Sequence, residues 1–166
     1  MIFFRDQDVE VADHVAFGRR FGELEVHPFT PNRDDHPEVI VIHHDEKSKQ
    51  GQNQWHSDVT WRQEPSLGSI LRARTVPPVG GDTLFADMVT AYENLSEELR
   101  EQIEGATAIH SFEHNFGRRM APEKRAEFLE QYPPARHPVV RTHPETGKKA
   151  LYVSRPFTTH IEGLEA

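Results

Sequence analysis

The chain has 166 residues, 12 of them proline and none cysteine, with 27 acidic residues against 19 basic ones and a net charge of -8. That length suits a single domain with one modest core, and the acidic balance argues against nucleic-acid binding, which leans on Lys and Arg neutralising phosphates. No apolar run approaches the roughly 18–20 residues of a membrane span, residues 1–6 do not read as a signal peptide, and the lack of cysteine excludes disulfides and thiolate metal centres. Composition thus points to a soluble cytoplasmic protein without a membrane partner, and its 11 histidines make imidazole metal chemistry the feature to search for.

In chain order, residues 2–5 read as a strand, and Asp8 caps a helix over about 9–21 whose apolar stripe holds Val11, Val15 and Phe21, with Phe17 near it. Gly22 ends that helix. Residues 27–37 are turn-rich, residues 39–42 form a β-branched strand, and the wholly polar residues 44–54 form a loop of the kind that covers a site. From Trp55 to Trp61, alternation places Trp55, Ser57, Val59 and Trp61 on one face and His56 and Asp58 on the other. Further strands are expected at 66–74 and, after the Pro77–Asp82 turn, at 83–85. Residues 87–104 read as two helical pieces, with Ser96 capping the second. A strand at 106–112, a helix at 122–131 opened by Pro122, and a hairpin of 138–143 with 149–154 complete the expectation. Many short strands with a few helices suggest an α+β, β-rich core with helices outside it.

The metal signal is His56-Ser57-Asp58. On a strand such a pair shares one face about 6.5–7 Å apart at the backbone, so imidazole and carboxylate can grip one ion. A third ligand would complete a 2-His-1-carboxylate facial triad, which leaves three positions open on Fe(II). His-x-Asp alone is common, and a plain hydrogen-bonded pair on a sheet explains it equally. His110 and His114 have a helical zinc spacing in a segment that reads as strand, His43 and His44 point apart if extended, and His137 and His143 flank a strand beside prolines. For all of these, a surface or locally bonded histidine is the expectation.

Several segments carry more. Phe3-Phe4-Arg5-Asp6-Gln7, Phe21-Gly22-Glu23-Leu24, His27-Pro28, Trp55-His56-Ser57-Asp58-Val59-Thr60, Pro77-Pro78-Val79-Gly80-Gly81-Asp82-Thr83, Ala91-Tyr92-Glu93-Asn94-Leu95-Ser96, His137-Pro138-Val139-Val140-Arg141-Thr142-His143-Pro144 and Phe157-Thr158-Thr159 follow one another in a familiar order and spacing. In these the chain resembles the taurine dioxygenase family of Fe(II)/2-oxoglutarate-dependent oxygenases, over nearly its whole length. The resemblance implies a double-stranded β-helix (jelly-roll) core with flanking helices, a mononuclear iron, 2-oxoglutarate as cosubstrate, and O2 with a small, anionic substrate as partners.

The resemblance also implies roles for particular residues. His56 and Asp58 match two iron ligands, and Thr83 matches the threonine that helps to hold the distal carboxylate of 2-oxoglutarate. His27 matches a histidine that bonds an anionic head group, and a protonated imidazole there would make binding weaken as pH rises. Val59 and Phe116 match apolar pocket walls. Gln52 stands where taurine enzymes carry a substrate-binding Asn, and Thr30 where they carry a pocket Tyr, so taurine itself is not implied. The family reaction converts 2-oxoglutarate to succinate and carbon dioxide and hydroxylates a sulfonate, sulfate ester or carboxylate.

Relatives begin earlier and run well beyond Phe157-Thr158-Thr159, where their distal histidine and 2-oxoglutarate-binding arginine lie. His160 precedes that motif's place, and no arginine follows it before Ala166. The expectation is therefore one partial domain over residues 1–166, its jelly roll incomplete and truncated at both ends, and inactive by itself. Two other readings stay open, a non-catalytic remnant of the family and a cupin-type barrel with another cofactor; homo-oligomerisation is compatible with either.

Overall fold

A computed structural model describes residues 1–43 and 54–164. The chain divides into two compact units, residues 1–52 and 53–166.

In the first unit the helix is shorter than expected. α1 spans Val11–Gly18, with Glu10, not Asp8, at its extended N-cap and no side chain bonding the first turn. Val15 is buried, whereas Phe17 lies between Phe4 and Phe21 in edge-on ring contacts, centroids 6.5 and 5.3 Å away. Residues 2–5 form no strand, and at 39–42 the only pairing is an isolated bridge between Asn32 and Ile40. Both segments have strand-like composition, but a strand needs a neighbouring backbone to complete its ladder, and none of the described residues supplies it.

The second unit holds the sheets. α2 (Met88–Glu93) is capped by the Asp87 carboxylate, which accepts from the Val89 N–H, and α3 (Glu97–Ile103) by Ser96, whose hydroxyl accepts from the Leu99 N–H. Both caps satisfy a first-turn donor that would otherwise lack a partner. β1 (Thr107–His110) is central in an antiparallel sheet of order β2-β1-β5, with β2 at Ala135–Pro138 and β5 at Thr158–Ile161. Ala108 and His110 point to the buried face of β1, Ala135 and His137 to that of β2. α4 (Pro122–Gln131) begins with its proline at the first turn, where no backbone donor is lost. β3 (Val140–Thr142) and β4 (Lys149–Leu151) form the expected hairpin, closed by the Gly147 N–H donating to the His143 carbonyl at a left-handed Gly147 (φ 68°).

Two cores hold this unit. Ile103, Ala108 and Val139 pack under Tyr92, Leu151 and Ile161. Trp61, 1% exposed, stands edge-on to Phe112 at 6.2 Å and to Tyr132 at 5.2 Å, and the Arg62 guanidinium lies 4.9 Å from the Trp61 ring centre. Residues 66–74 and 83–85 are not strands; Leu67, Leu71, Leu84 and Phe85 are exposed. As in the first unit, the apolar pattern is present, and among the described residues no partner strand pairs with it.

Candidate metal centre

The segment bearing the metal signal departs from simple alternation. Residues 55–57 belong to no regular element, the chain turns at Asp58, and the Arg62 N–H donates to the Val59 carbonyl at 3.0 Å. Val59, Thr60 and Trp61 are consecutively buried, while Trp55 is 59% exposed, so the expected shared face of Trp55 and Trp61 does not exist. Val59 sits in the left-handed region at φ 46°. For a β-branched residue this costs on the order of 1–2 kcal/mol and persists only where the surroundings enforce it.

His56 and Asp58 nevertheless converge. His56 Nε2 lies 3.5 Å from Asp58 Oδ1, and both side chains are open to solvent. His56 Nδ1 is 2.7 Å from the Gln54 carbonyl. A carbonyl only accepts, so Nδ1 carries a proton and Nε2 is the nitrogen that faces Asp58. An imidazole held through its far nitrogen by a carbonyl is the usual arrangement of a metal-bound histidine. The Ser69 hydroxyl donates to Asp58 Oδ2 at 3.0 Å, while Oδ1 is the oxygen that faces His56. The donor set of one neutral imidazole nitrogen and one carboxylate oxygen therefore fits a divalent first-row metal. Among the described residues, no group of three or more His, Asp or Glu gathers around one point.

Beside Asp58 opens a cleft of about 490 Å³, lined by Ser57, Asp58, Ser66, Ser69, Arg141 and Tyr152 among others. Its volume is within the range of small-molecule sites. The Arg141 guanidinium lies 5.1 Å from the Tyr152 ring centre; burial pushes the Tyr152 phenol above its ordinary range and Arg141 partly opposes this. A second cleft of similar volume, beside Trp61 and Tyr132, contains neither metal-pair residue.

Thr83 is exposed, following two left-handed glycines, Gly80 (φ 81°) and Gly81 (φ 76°). Phe116 is half-buried and stacks on Phe157 at 6.1 Å. Gln52 lies outside the described residues, as does all of the polar loop except Gln54. In the first unit, His27 Nδ1 accepts from the Phe29 N–H at 3.2 Å and lies 3.0 Å from the Thr30 hydroxyl.

Sequence reasoning missed the residues behind the metal pair. His110 is neither a surface nor a locally bonded histidine. It is fully buried, with Nδ1 2.9 Å from the Thr60 hydroxyl and Nε2 3.1 Å from that of Thr158. His137, also buried, donates from Nε2 to the Arg62 carbonyl at 2.9 Å. Burial, reinforced by the charge of His137, pushes the His110 pKa down to about 4. His110 stays neutral in the folded chain while the unfolded chain protonates it near pH 6.5. Between those values the unfolded state binds the extra proton, so stability is fully present above about pH 6.5 and is lost as pH falls toward 4, by up to about 1.4 kcal/mol per pH unit. The carboxyls of Asp87 and Glu104 are held below their ordinary range by the Thr90 hydroxyl and by Lys149, so they too favour the folded chain less as pH falls. Urea midpoints should therefore fall steadily from pH 6.5 to 4.5; a flat profile would show that His110 is not buried neutral.

Comparison with known proteins fits this geometry. The sequence model of the family "Taurine catabolism dioxygenase TauD, TfdA family" matches residues 1–166. A putative alpha-ketoglutarate-dependent sulfonate dioxygenase of Schizosaccharomyces pombe is 34% identical over 99% of this chain and 44% of its own length. The crystal structure of a putative alpha-ketoglutarate-dependent taurine dioxygenase from Burkholderia xenovorans superposes with a TM-score of 0.73 at 39% identity, covering 98% of this chain and 54% of that one. The structure of AAD-2 in complex with Mn(II) and N-oxalylglycine gives a TM-score of 0.68 at 28% identity, covering 98% of this chain and 57% of that one. The chain spans about half the length of the relatives it matches. Its sheets are those of a jelly roll of this type, present in part.

Proposed function

The chain belongs to the TauD/TfdA family of taurine catabolism dioxygenases, and from that premise we propose that His56 and Asp58 serve Fe(II)/2-oxoglutarate-dependent hydroxylation of a small anionic substrate, a sulfonate, sulfate ester or carboxylate. The observation that carries this reading is the 3.5 Å approach of His56 Nε2 to Asp58 Oδ1, with the histidine tautomer fixed by the Gln54 carbonyl. When bound, Fe(II) together with 2-oxoglutarate and O2 supplies the oxidising power that yields succinate, carbon dioxide and a hydroxylated product.

The residues of the chain bind and orient. His56 and Asp58 hold two neighbouring positions on the metal, and Ser69 keeps the carboxylate from rotating Oδ1 away. Thr83 donates its hydroxyl to the distal carboxylate of 2-oxoglutarate. By the family resemblance, His27 and Gln52 are assigned to the substrate's anionic group, and Val59 and Phe116 to apolar contacts with it.

A hydrogen bond to a charged carboxylate contributes about 1.5–3 kcal/mol. Thr83→Val should therefore weaken 2-oxoglutarate binding roughly 10–150-fold while leaving the substrate's own dissociation constant nearly unchanged; calorimetry with each ligand separates the two, and the reverse pattern would place Thr83 against substrate. The function as a whole is tested in a chain extended to the full length of its relatives, since this one spans about half of them, incubated with Fe(II), ascorbate, 2-oxoglutarate and an alkylsulfonate in air. Succinate and sulfite released together, and lost in His56→Ala, support it. Equal release from His56→Ala would overturn it.

A further inference from the structure

We propose that Ser154, Thr158 and His110 form a buried hydrogen-bonded clasp that positions the metal pair by gripping the chain on both sides of Asp58. The inference rests on the reading of His56 and Asp58 as metal ligands. Ser154 is 1% exposed, and its hydroxyl meets the backbone of Ser57 twice, accepting from the N–H at 3.3 Å and donating to the carbonyl at 3.4 Å. The Ser154 N–H donates to the Thr158 hydroxyl oxygen at 2.9 Å, and that hydroxyl meets His110 Nε2. His110 Nδ1 in turn reaches Thr60, whose side chain is 1% exposed. The chain of bonds starts at Ser57 and returns at Thr60, enclosing only Asp58 and Val59.

Three observations favour positioning over simple core filling. Buried hydroxyl and imidazole groups are costly unless every one is bonded, and an apolar core would avoid that cost; a satisfied polar chain instead fixes one geometry. The enclosed Val59 holds a left-handed backbone that a β-branched residue adopts only under external constraint. The clasp also reaches across the fold: Ser154 lies 97 residues from Ser57 and His110 lies 50 from Thr60. On β1, the register shift between Ile109 and His110 is the irregularity that sets His110 opposite Thr158. Released from the clasp, the 57–60 turn would relax toward ordinary extended backbone and carry Oδ1 away from Nε2. Ser154, Thr158 and His110 are thus positioning residues that touch neither metal nor substrate.

The test measures Mn(II) affinity by electron paramagnetic resonance at a temperature where every variant is folded, alongside each variant's Tm. Ser154→Ala removes one grip and Thr60→Val the other, the latter nearly isosteric; Thr60→Ser keeps the hydroxyl. Ile103→Val lowers Tm from the separate Ile103–Ala108–Val139 core and serves as the stability control. Both clasp-breaking variants should lose about 10-fold or more in Mn(II) affinity, the scale of an outer-shell partner, with Thr60→Ser and Ile103→Val near the parent. If Ser154→Ala and Thr60→Val bind as the parent does while His56→Ala does not, the clasp is overturned and the metal assignment stands. If His56→Ala also binds as the parent does, the metal reading itself falls, and the positioning role with it.

Discussion

His56→Ala is expected to lower Mn(II) affinity by well over the roughly 10–100-fold that loss of an outer-shell partner costs, because it removes one of the two donors proposed for the ion. The pair supplies a nitrogen and an oxygen 3.5 Å apart, and a lone exposed Asp58 is an ordinary surface carboxylate. His56→Gln is the informative companion. It retains a polar side chain without the ring nitrogen, so its affinity should resemble that of the alanine variant. Because His56 is open to solvent, neither change should alter the urea midpoint appreciably; surface substitutions away from special features stay within about 0.5 kcal/mol. A large loss of stability without loss of metal affinity would mean that the pair is structural.

The second large effect is on stability. Trp61→Ala should cost about 3–5 kcal/mol, the range for truncating a buried large aromatic residue. Trp61 is 1% exposed and meets Phe112, Tyr132 and Arg62, so its removal leaves a cavity ringed by large groups that cannot easily collapse. Against a typical total of about 5–15 kcal/mol, such a loss is a large share of stability. Trp55→Ala, at a position 59% exposed, should change the urea midpoint little. Equal effects at the two tryptophans would contradict the burial of Trp61 and favour the shared face that alternation implied.

That contrast shows where the sequence was legible. Several signals local to a few residues translated directly, with Ser96 capping α3, Pro122 opening α4 and Gly147 closing the β3–β4 hairpin, although the Asp8 cap did not. Signals that need a distant partner did not. Residues 2–5, 39–42, 66–74 and 83–85 have the composition of strands without a paired backbone among the described residues, whereas β2 and β5, four residues each, were missed because their identity comes from pairing with β1. The pair at His56 and Asp58 was visible as a short motif, but the reason they meet was not. The alternation rule predicts a common face on an extended strand; the chain instead turns at a left-handed Val59 that no β propensity foretells. Ser154 carries no motif at all, and His110 looked like any histidine on a strand, since its partners lie 48 and 50 residues away.

The central claim is that His56 and Asp58 bind one metal ion, and electron spin echo modulation of the Mn(II)-loaded protein tests it most directly. The technique reads the coupling of the ion to an imidazole nitrogen, independent of turnover. A histidine nitrogen coupling is expected in the parent protein that disappears in His56→Ala and survives in His143→Asn, an exposed histidine whose ring accepts from the backbone of its own hairpin turn. A nitrogen coupling that persists unchanged in His56→Ala would contradict it.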